Sequence, residues 1–385
     1  MNQYNILHIL ESLYKAGTPN KLLMLFRNIN KKKYKIILVI YGKNNDLYNE
    51  FKKNTYKIIR LKPPNDNGYR MLLSLINIIR KENIDIVNTH YNRANIIGGL
   101  AAILTGIPFI QNEHGIPRGG DAKKFPFNLI VDFFDNFYCL FRSAIICNSY
   151  TVKKDVKKKI FCNNKKIFVV PNAIDVKEYT NMNIKNKLKN FREVYKIDET
   201  DIALGSVGGL IKGRDYLTYI EVIKILKRDY ANIKYFIAGW GGEKEKIRQK
   251  INQYGLDNNI VLLDYYKEVP ILLNIINIYL DAVLIASGVG LGLLEAMYFK
   301  LPVIGIMEGD KRDIVIKNDF NGYLIDRLNI KLLYEKIKYL IENEDIRKKF
   351  GENSRKLIIE KYNQEIFSKN ISNIYSLVIS RKIQK

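Results

Sequence analysis

Acidic residues, histidine, cysteine and tryptophan are all sparse in this chain. Its 385 residues hold 39 Asp and Glu against 63 Lys and Arg, with three His, three Cys and one Trp. Cys139, Cys147 and Cys162 form no Cys-x-x-Cys pair, which excludes a disulfide framework and a structural zinc and fits a reducing compartment. No long apolar run is present. The longest, residues 96–110, is broken by Gly98, Gly99, Thr105, Gly106 and Pro108, too short and too interrupted to span a bilayer. No signal peptide is read at the start, where Met1 to Asn5 leads straight into a strand, Ile6-Leu7-His8-Ile9-Leu10. No Gly-x-Gly-x-x-Gly follows that strand, which disfavours a dinucleotide oxidoreductase. Asp-x-Asp, zinc-finger spacing, an RNP-type aromatic block and a basic region with heptads are all missing, so no metal and no nucleic-acid partner is expected.

What is abundant is positive charge. The formal net charge is +24. Residues 1–180 carry 29 Lys and Arg against 13 Asp and Glu, a net +16. Such an excess suits nucleic acid, anionic lipid headgroups or phosphorylated small molecules, or is a solvated face. The loop Lys123-Lys124-Phe125-Pro126-Phe127 pairs cations with aromatics and reads as a contact with an anionic membrane surface.

A 47% hydrophobic, 26% charged composition is globular, and 385 residues are too many for one ordinary core. Short apolar runs alternate with helix-like stretches. Strands are expected at 4–10, 35–41, 57–61, 84–89, 108–112, 144–148 and 167–170. After a polar stretch at 180–200, read as a linker or peripheral helix, they resume at 202–208, 234–238, 260–263, 279–285, 303–305 and 322–325. Helices are expected between them, including 129–142, and three close the chain. This alternation predicts an α/β protein of two doubly wound parallel sheets, with domains at 1–178 and 179–363 and a last helix, 364–385, returning to the first. A ligand belongs at the strand C-termini, in the cleft between the halves.

Ser287-Gly288-Val289-Gly290-Leu291-Gly292-Leu293-Leu294-Glu295 is the stretch richest in chemistry. Glycines running into an apolar helix give a helix N-terminus with unpaired N–H groups and a positive dipole, suited to a phosphate. Glu295, inside the first turn, is better suited to accept bonds from a ribose.

The ordered motifs resemble a retaining glycosyltransferase of the GT-B fold, in the group 1, family four class. Ile84 to His90, Gly106 to Gly115, Ala144 to Ser149 and Val169 to Asp175 resemble the family's first-domain signatures. Lys212-Gly213-Arg214-Asp215-Tyr216, Phe236 to Gly241, Leu294 to Met297 with Pro302-Val303-Ile304, and Asp313 to Ile325 resemble those of the second. The resemblance implies roles. Glu295 matches the ribose-binding second Glu of the family's E-x7-E motif, and Gly290, Gly292 and Leu293 match the backbone that holds the donor diphosphate. Lys212 matches the lysine that neutralises the departing diphosphate. Gly17 matches a first-domain glycine loop under the donor phosphates, and Gly208 belongs to the loop leading to Lys212. His114 matches a histidine near the reacting centre, whereas His8 and His90 read as structural or peripheral.

Two departures stand out. The first Glu of E-x7-E is replaced by Ser287, and Gly209 stands roughly where the family carries an Arg, a role Arg214 could fill from the other side. The implied reaction is metal-independent, retaining transfer from a nucleotide sugar, UDP favoured, to a glycan or polyprenyl-linked acceptor in surface polysaccharide (lipopolysaccharide or capsule) assembly. The implied location is cytoplasmic, peripheral on the inner face of the plasma membrane. A nucleotide-sugar 2-epimerase and a degenerate partner subunit remain as alternatives.

Overall fold

The computed structural model describes residues 3–384 except 15–16, 44, 62–67, 116–136, 159–161, 181, 285–287 and 308–314. The chain divides into two compact units, Met1–Asn172 with Gln364–Lys385, and Ala173–Asn363. The division falls six residues before 178. Ile174 already belongs to the second unit, because its N–H donates to the Tyr362 carbonyl at 3.0 Å and it bridges Asn363.

In the first unit the order is β1 (Tyr4–Leu10), α1 (Gly17–Asn28), β2 (Tyr34–Ile40), α2 (Tyr48–Asn54), β3 (Lys57–Arg60), α3 (Gly68–Lys81), β4 (Ile86–His90), α4 (Asn92–Thr105), β5 (Phe109–Glu113), β6 (Ala144–Cys147), α5 (Tyr150–Lys157) and β7 (Ile167–Val169). The seven strands are parallel, in the order β3-β2-β1-β4-β5-β6-β7. Both faces are covered, which explains why β2 is an almost uninterrupted apolar run and why all five residues of β4 are buried although three are polar. Leu7, Ile9, Val39, Val87 and Phe109 pack against Met71, Leu75 and Ile79 of α3. Ser149 caps α5, its side chain accepting from the Val152 N–H.

In the second unit come α6 (Lys185–Tyr195), β8 (Ile202–Val207), α7 (Tyr216–Asp229), β9 (Ile233–Ala238), α8 (Lys244–Gln253), β10 (Ile260–Leu262), α9 (Val269–Ile275), β11 (Ile278–Asp281), α10 (Leu291–Tyr298), β12 (Val303–Met307), β13 (Gly322–Asp326), α11 (Ile330–Glu342) and α12 (Glu344–Lys361). Its six parallel strands run β10-β9-β8-β11-β12-β13. α13 (Gln364–Ile383) then packs in the first unit, where the Tyr34 hydroxyl donates to the Ser372 carbonyl at 3.0 Å.

Two doubly wound parallel sheets are therefore present, as the alternation predicts. Local differences have local causes. α2 was not anticipated, because Tyr48–Asn54 buries only Phe51 and gives almost no periodic signal. The stretch 180–200 forms α6, anchored by Phe191. The strand expected at 279–285 stops at Asp281, since the next residues turn to meet the 213–215 segment. Of the helix expected at 129–142, residues 137–141 are helical and 129–136 lie outside the described residues.

Each sheet has one point where strand order reverses, between β1 and β4 and between β8 and β11. Connections leave such a point to opposite faces and open a crevice at the strand C-termini.

Candidate functional site

In the second unit the crevice lies between the loops that follow β8 and β11. The two loops are laced by backbone bonds. The Asp215 N–H donates to the Ala282 carbonyl at 2.8 Å, the Leu284 N–H donates to Gly213 at 3.2 Å, and Arg214 bridges Val283. Lys212 sits exposed on the turn so held, next to Gly213 at φ +89°. Asp215 caps α7 through the Thr218 N–H and hydroxyl, at 3.0 and 2.6 Å.

α10 begins at the same crevice. Gly290 is its N-cap, and a side chain added there would meet open space. Gly292 has the opposite environment: a Cβ would come within 2.7 Å of the Val207 carbonyl oxygen and 3.0 Å of the Tyr279 hydroxyl. Glycine therefore lets the helix start press against the end of β8. Leu293 puts its side chain in the core, so only its backbone N–H faces the helix end. Glu295, half-buried, accepts from the Tyr179 hydroxyl at 3.0 Å. Burial pushes its carboxyl up to about 7, the Tyr179 bond opposing and Glu178 adding. Tyr179 itself is pushed upward by burial and by Glu295.

Arg214 is half-buried, its guanidinium against the Gly208 backbone, where a Cβ would stand 2.0 Å from Nη1. Gly208 has φ +156° and cannot carry a side chain without displacing that arginine. Asp281 is also held here: burial raises its carboxyl to about 6 against the pull of Arg214.

In the first unit Gly17 is the exposed first residue of α1. His114, after β5, is linked through both ring nitrogens. Nδ1 faces Lys21 Nζ at 3.1 Å, and Nε2 faces His90 Nδ1 at 3.0 Å. His90 Nε2 lies 3.1 Å from His8 Nδ1, and His8 Nε2 lies 3.1 Å from the Tyr375 hydroxyl. Of the two readings of His8 and His90, structural or peripheral, their burial and bonding fit the structural one, and all three histidines of the chain form one line. Burial holds His8 down at about 3 and holds His90 and His114 well below the usual range, with Lys21 adding to the last two. Burial also lowers Lys21, to about 8. Among the described residues no three His, Cys, Asp or Glu side chains gather closely enough for a metal ion, and no helix is long and apolar enough to cross a membrane.

The structure thus brings Lys212, Arg214 and Gly208 together with Gly290, Gly292, Leu293 and Glu295 at one crevice. Ser287, Lys123, Lys124 and Phe125 lie outside the described residues. Sequence reasoning missed Tyr179, Asp281, Lys21 and Tyr375, each distant in the chain from the side chains it meets. Neither spacing nor local composition marks them.

Two family models match, Glycosyltransferase Family 4 over residues 17–178 and Glycosyl transferases group 1 over residues 188–357. The chain is similar to a UDP-Gal:alpha-D-GlcNAc-diphosphoundecaprenol alpha-1,3-galactosyltransferase of Escherichia coli, 24% identical, covering 82% of this chain and 80% of that one. It is also similar to the capsular polysaccharide biosynthesis glycosyltransferase CapM of Staphylococcus aureus, 25% identical over 80% of each chain. A solved glycosyltransferase from Rickettsia africae shares the fold, with a TM-score of 0.82 at 20% identity, covering 98% of this chain and 99% of that one.

Proposed function

We propose that this chain, which belongs to the group 1 glycosyltransferases and has their two-domain α/β GT-B fold, takes its sugar from a UDP-sugar and transfers it with retention of configuration to a glycan or polyprenyl-diphosphate-linked acceptor in surface polysaccharide assembly. One observation carries the donor reading: α10 starts at the β8/β11 crevice, with the Lys212 turn laced to the chain that leads into it and Glu295 just past its first turn. The helix end supplies N–H groups and a positive dipole for a diphosphate. Lys212 places a point charge where the departing diphosphate gains its own. This pair does the work a divalent ion does elsewhere, so the reaction needs no metal. Glu295 then takes the ribose hydroxyls, displacing or sharing the Tyr179 bond. UDP and a lipid-linked acceptor are favoured by the likeness to the E. coli galactosyltransferase, whose name carries both.

A thermal-shift panel of UDP-, GDP-, ADP- and CMP-sugars tests the donor. UDP-sugars should raise the melting temperature in proportion to occupancy. Stabilisation by another nucleotide and not by UDP would overturn the choice of base.

A lipid-linked acceptor brings the protein to a membrane. The net +16 of residues 1–180 favours an anionic surface, at about 1 kcal/mol per nearby basic residue, fading within a Debye length. Flotation with phosphatidylglycerol vesicles should therefore recover the protein at low salt and lose it at high salt. Equal recovery with neutral vesicles removes this part of the proposal.

A further inference from the structure

The line of histidines in the first unit has a direction, and neighbouring amides fix it. The Asn112 side-chain Nδ2 donates to the Thr89 backbone carbonyl at 3.1 Å, and a carbonyl can only accept. The same Nδ2 donates to Asn88 Oδ1. Asn88 must then present its own Nδ2 to Tyr375, and does so at 2.7 Å from the hydroxyl oxygen. The Tyr375 hydroxyl thus accepts from Asn88, and its one hydrogen has a single remaining partner among the described residues, His8 Nε2 at 3.1 Å.

Donors and acceptors now follow one by one. His8 accepts at Nε2, so a neutral ring carries its hydrogen at Nδ1 and donates to His90 Nε2. His90 donates from Nδ1 to His114 Nε2, and His114 donates from Nδ1 toward Lys21 Nζ. An ammonium has no lone pair and cannot accept that hydrogen. An amine can, while still donating to Asn172 Oδ1 at 3.1 Å. In the opposite direction, with Lys21 charged, the Tyr375 hydroxyl would accept from both Asn88 and His8 and leave its own buried hydrogen without an acceptor, a costly arrangement.

The surroundings agree. Lys21 is buried, and among the described residues no carboxylate pairs with it. A charge buried without one is expensive, so the group sheds its proton instead. Glu113 lines the same cavity, but its carboxylate accepts from Gln111 Nε2 at 2.6 Å. Among the described residues lining that cavity, His8, His90 and His114 are the other titratable groups, and all three are held neutral. From α13, Phe367 and Ile371 add apolar walls. The lowering of Lys21 toward neutrality has the same sign.

We propose that Tyr375, His8, His90, His114 and Lys21 form one polarised hydrogen-bond relay, running from the Tyr375 hydroxyl to an uncharged Lys21 amine. Tyr375, His8 and His90 are then positioning residues for His114 and Lys21, the two side chains at its open end in the β1/β4 crevice. His114 has both nitrogens engaged, so Lys21 is the group this end offers to a ligand. That last consequence rests on the first unit holding the acceptor. The relay itself does not, and its test is independent of sugar transfer.

With three histidines in the chain, a long-range ¹H–¹⁵N spectrum of the intact protein reads each tautomer directly. Above about pH 8, where Lys21 is the uncharged amine, the expected spectrum shows three rings protonated at Nδ1. Lys21→Gln, which can accept from His114 and donate to Asn172 without charge, should keep all three. Lys21→Arg, a permanent cation that can only donate, should turn all three to Nε2–H. Tyr375→Phe, three imidazoles from the amine, should move the Lys21 Nζ titration upward in pH. A wild-type His114 protonated at Nε2, the same tautomers in Lys21→Arg as in Lys21→Gln, or an unmoved Lys21 titration in Tyr375→Phe would overturn the relay.

Discussion

Lys212→Ala and Glu295→Ala should each lower kcat/KM for sugar transfer roughly 30- to 900-fold, about 2–4 kcal/mol of transition-state stabilisation, the range for losing one charge-stabilising contact. The two losses should differ in form. Lys212 is exposed on a turn, so its removal should leave the melting temperature unchanged and fall mainly on kcat. If Glu295 holds the ribose in ground and transition states alike, as proposed, its removal should raise KM as well. Because its carboxyl sits near 7 in the free protein, donor affinity should weaken as pH falls from 8 to 6 in the wild type. That dependence should disappear in Glu295→Gln, which keeps a partner for Tyr179. Initial rates at several donor concentrations, on variants whose circular dichroism matches the wild type, decide it. Wild-type turnover in either alanine variant contradicts the assignment.

Mild acid should unfold the first unit before the second. Each histidine of the relay titrates below the free imidazole value of about 6.5. The unfolded chain therefore binds more protons than the folded one in that window. The histidine contribution to stability is complete above pH 6.5 and falls as pH drops toward the folded values, about 3 for His8. Each proton is worth about 1.4 kcal/mol per pH unit, so three rings give a slope of roughly 4 kcal/mol per unit once all are below 6.5. Against a typical domain stability of about 5–15 kcal/mol, that is enough to unfold the unit by roughly pH 4–5.

The second unit has the opposite sign. Burial raises Glu295 to about 7 and Asp281 to about 6. Their folded forms bind protons more tightly than the unfolded chain, so both contribute stability as pH falls from 7 toward 4.5. Hydrogen exchange between pH 7 and 4.5, corrected for intrinsic rates, should show β1, β4 and β5 losing protection while β8 and β11 keep it. Simultaneous loss in both units, or loss in the second first, contradicts the assignment of these shifts.

Strands were legible in the sequence because buried parallel strands need apolar runs on both faces, and Ile36 to Ile40 or Val303 to Ile306 can hardly be anything else. Their ends were less so. The apolar residues after Asp281 look like more strand, yet Ala282 and Leu284 use their backbone groups on the Asp215 and Gly213 segment instead. α2 was invisible because one buried Phe51 makes no periodicity. At the β8/β11 crevice, the placing of Gly290, Gly292, Glu295 and Lys212 near one another was legible because a glycine-to-helix junction and a short lysine turn are local features. Arg214 was legible as a candidate but not in its setting, wedged on Gly208 beside Asp281. The histidine relay was not legible, since His8, His90, His114 and Tyr375 come from three strand ends and the last helix. Only the order β1-β4-β5, with α13 packed beside them, brings them into line. Reading His8 and His90 only as structural or peripheral followed from seeing each alone.

In the proposed function the donor diphosphate sits at the start of α10. Amide hydrogen exchange with and without saturating UDP measures those backbone N–H groups themselves. Slowed exchange in peptides covering 288–298 and 207–215, with little change in β1 to β7, is the predicted result. UDP bound by calorimetry with no protection at 288–298, or with protection confined to the first unit, would contradict it.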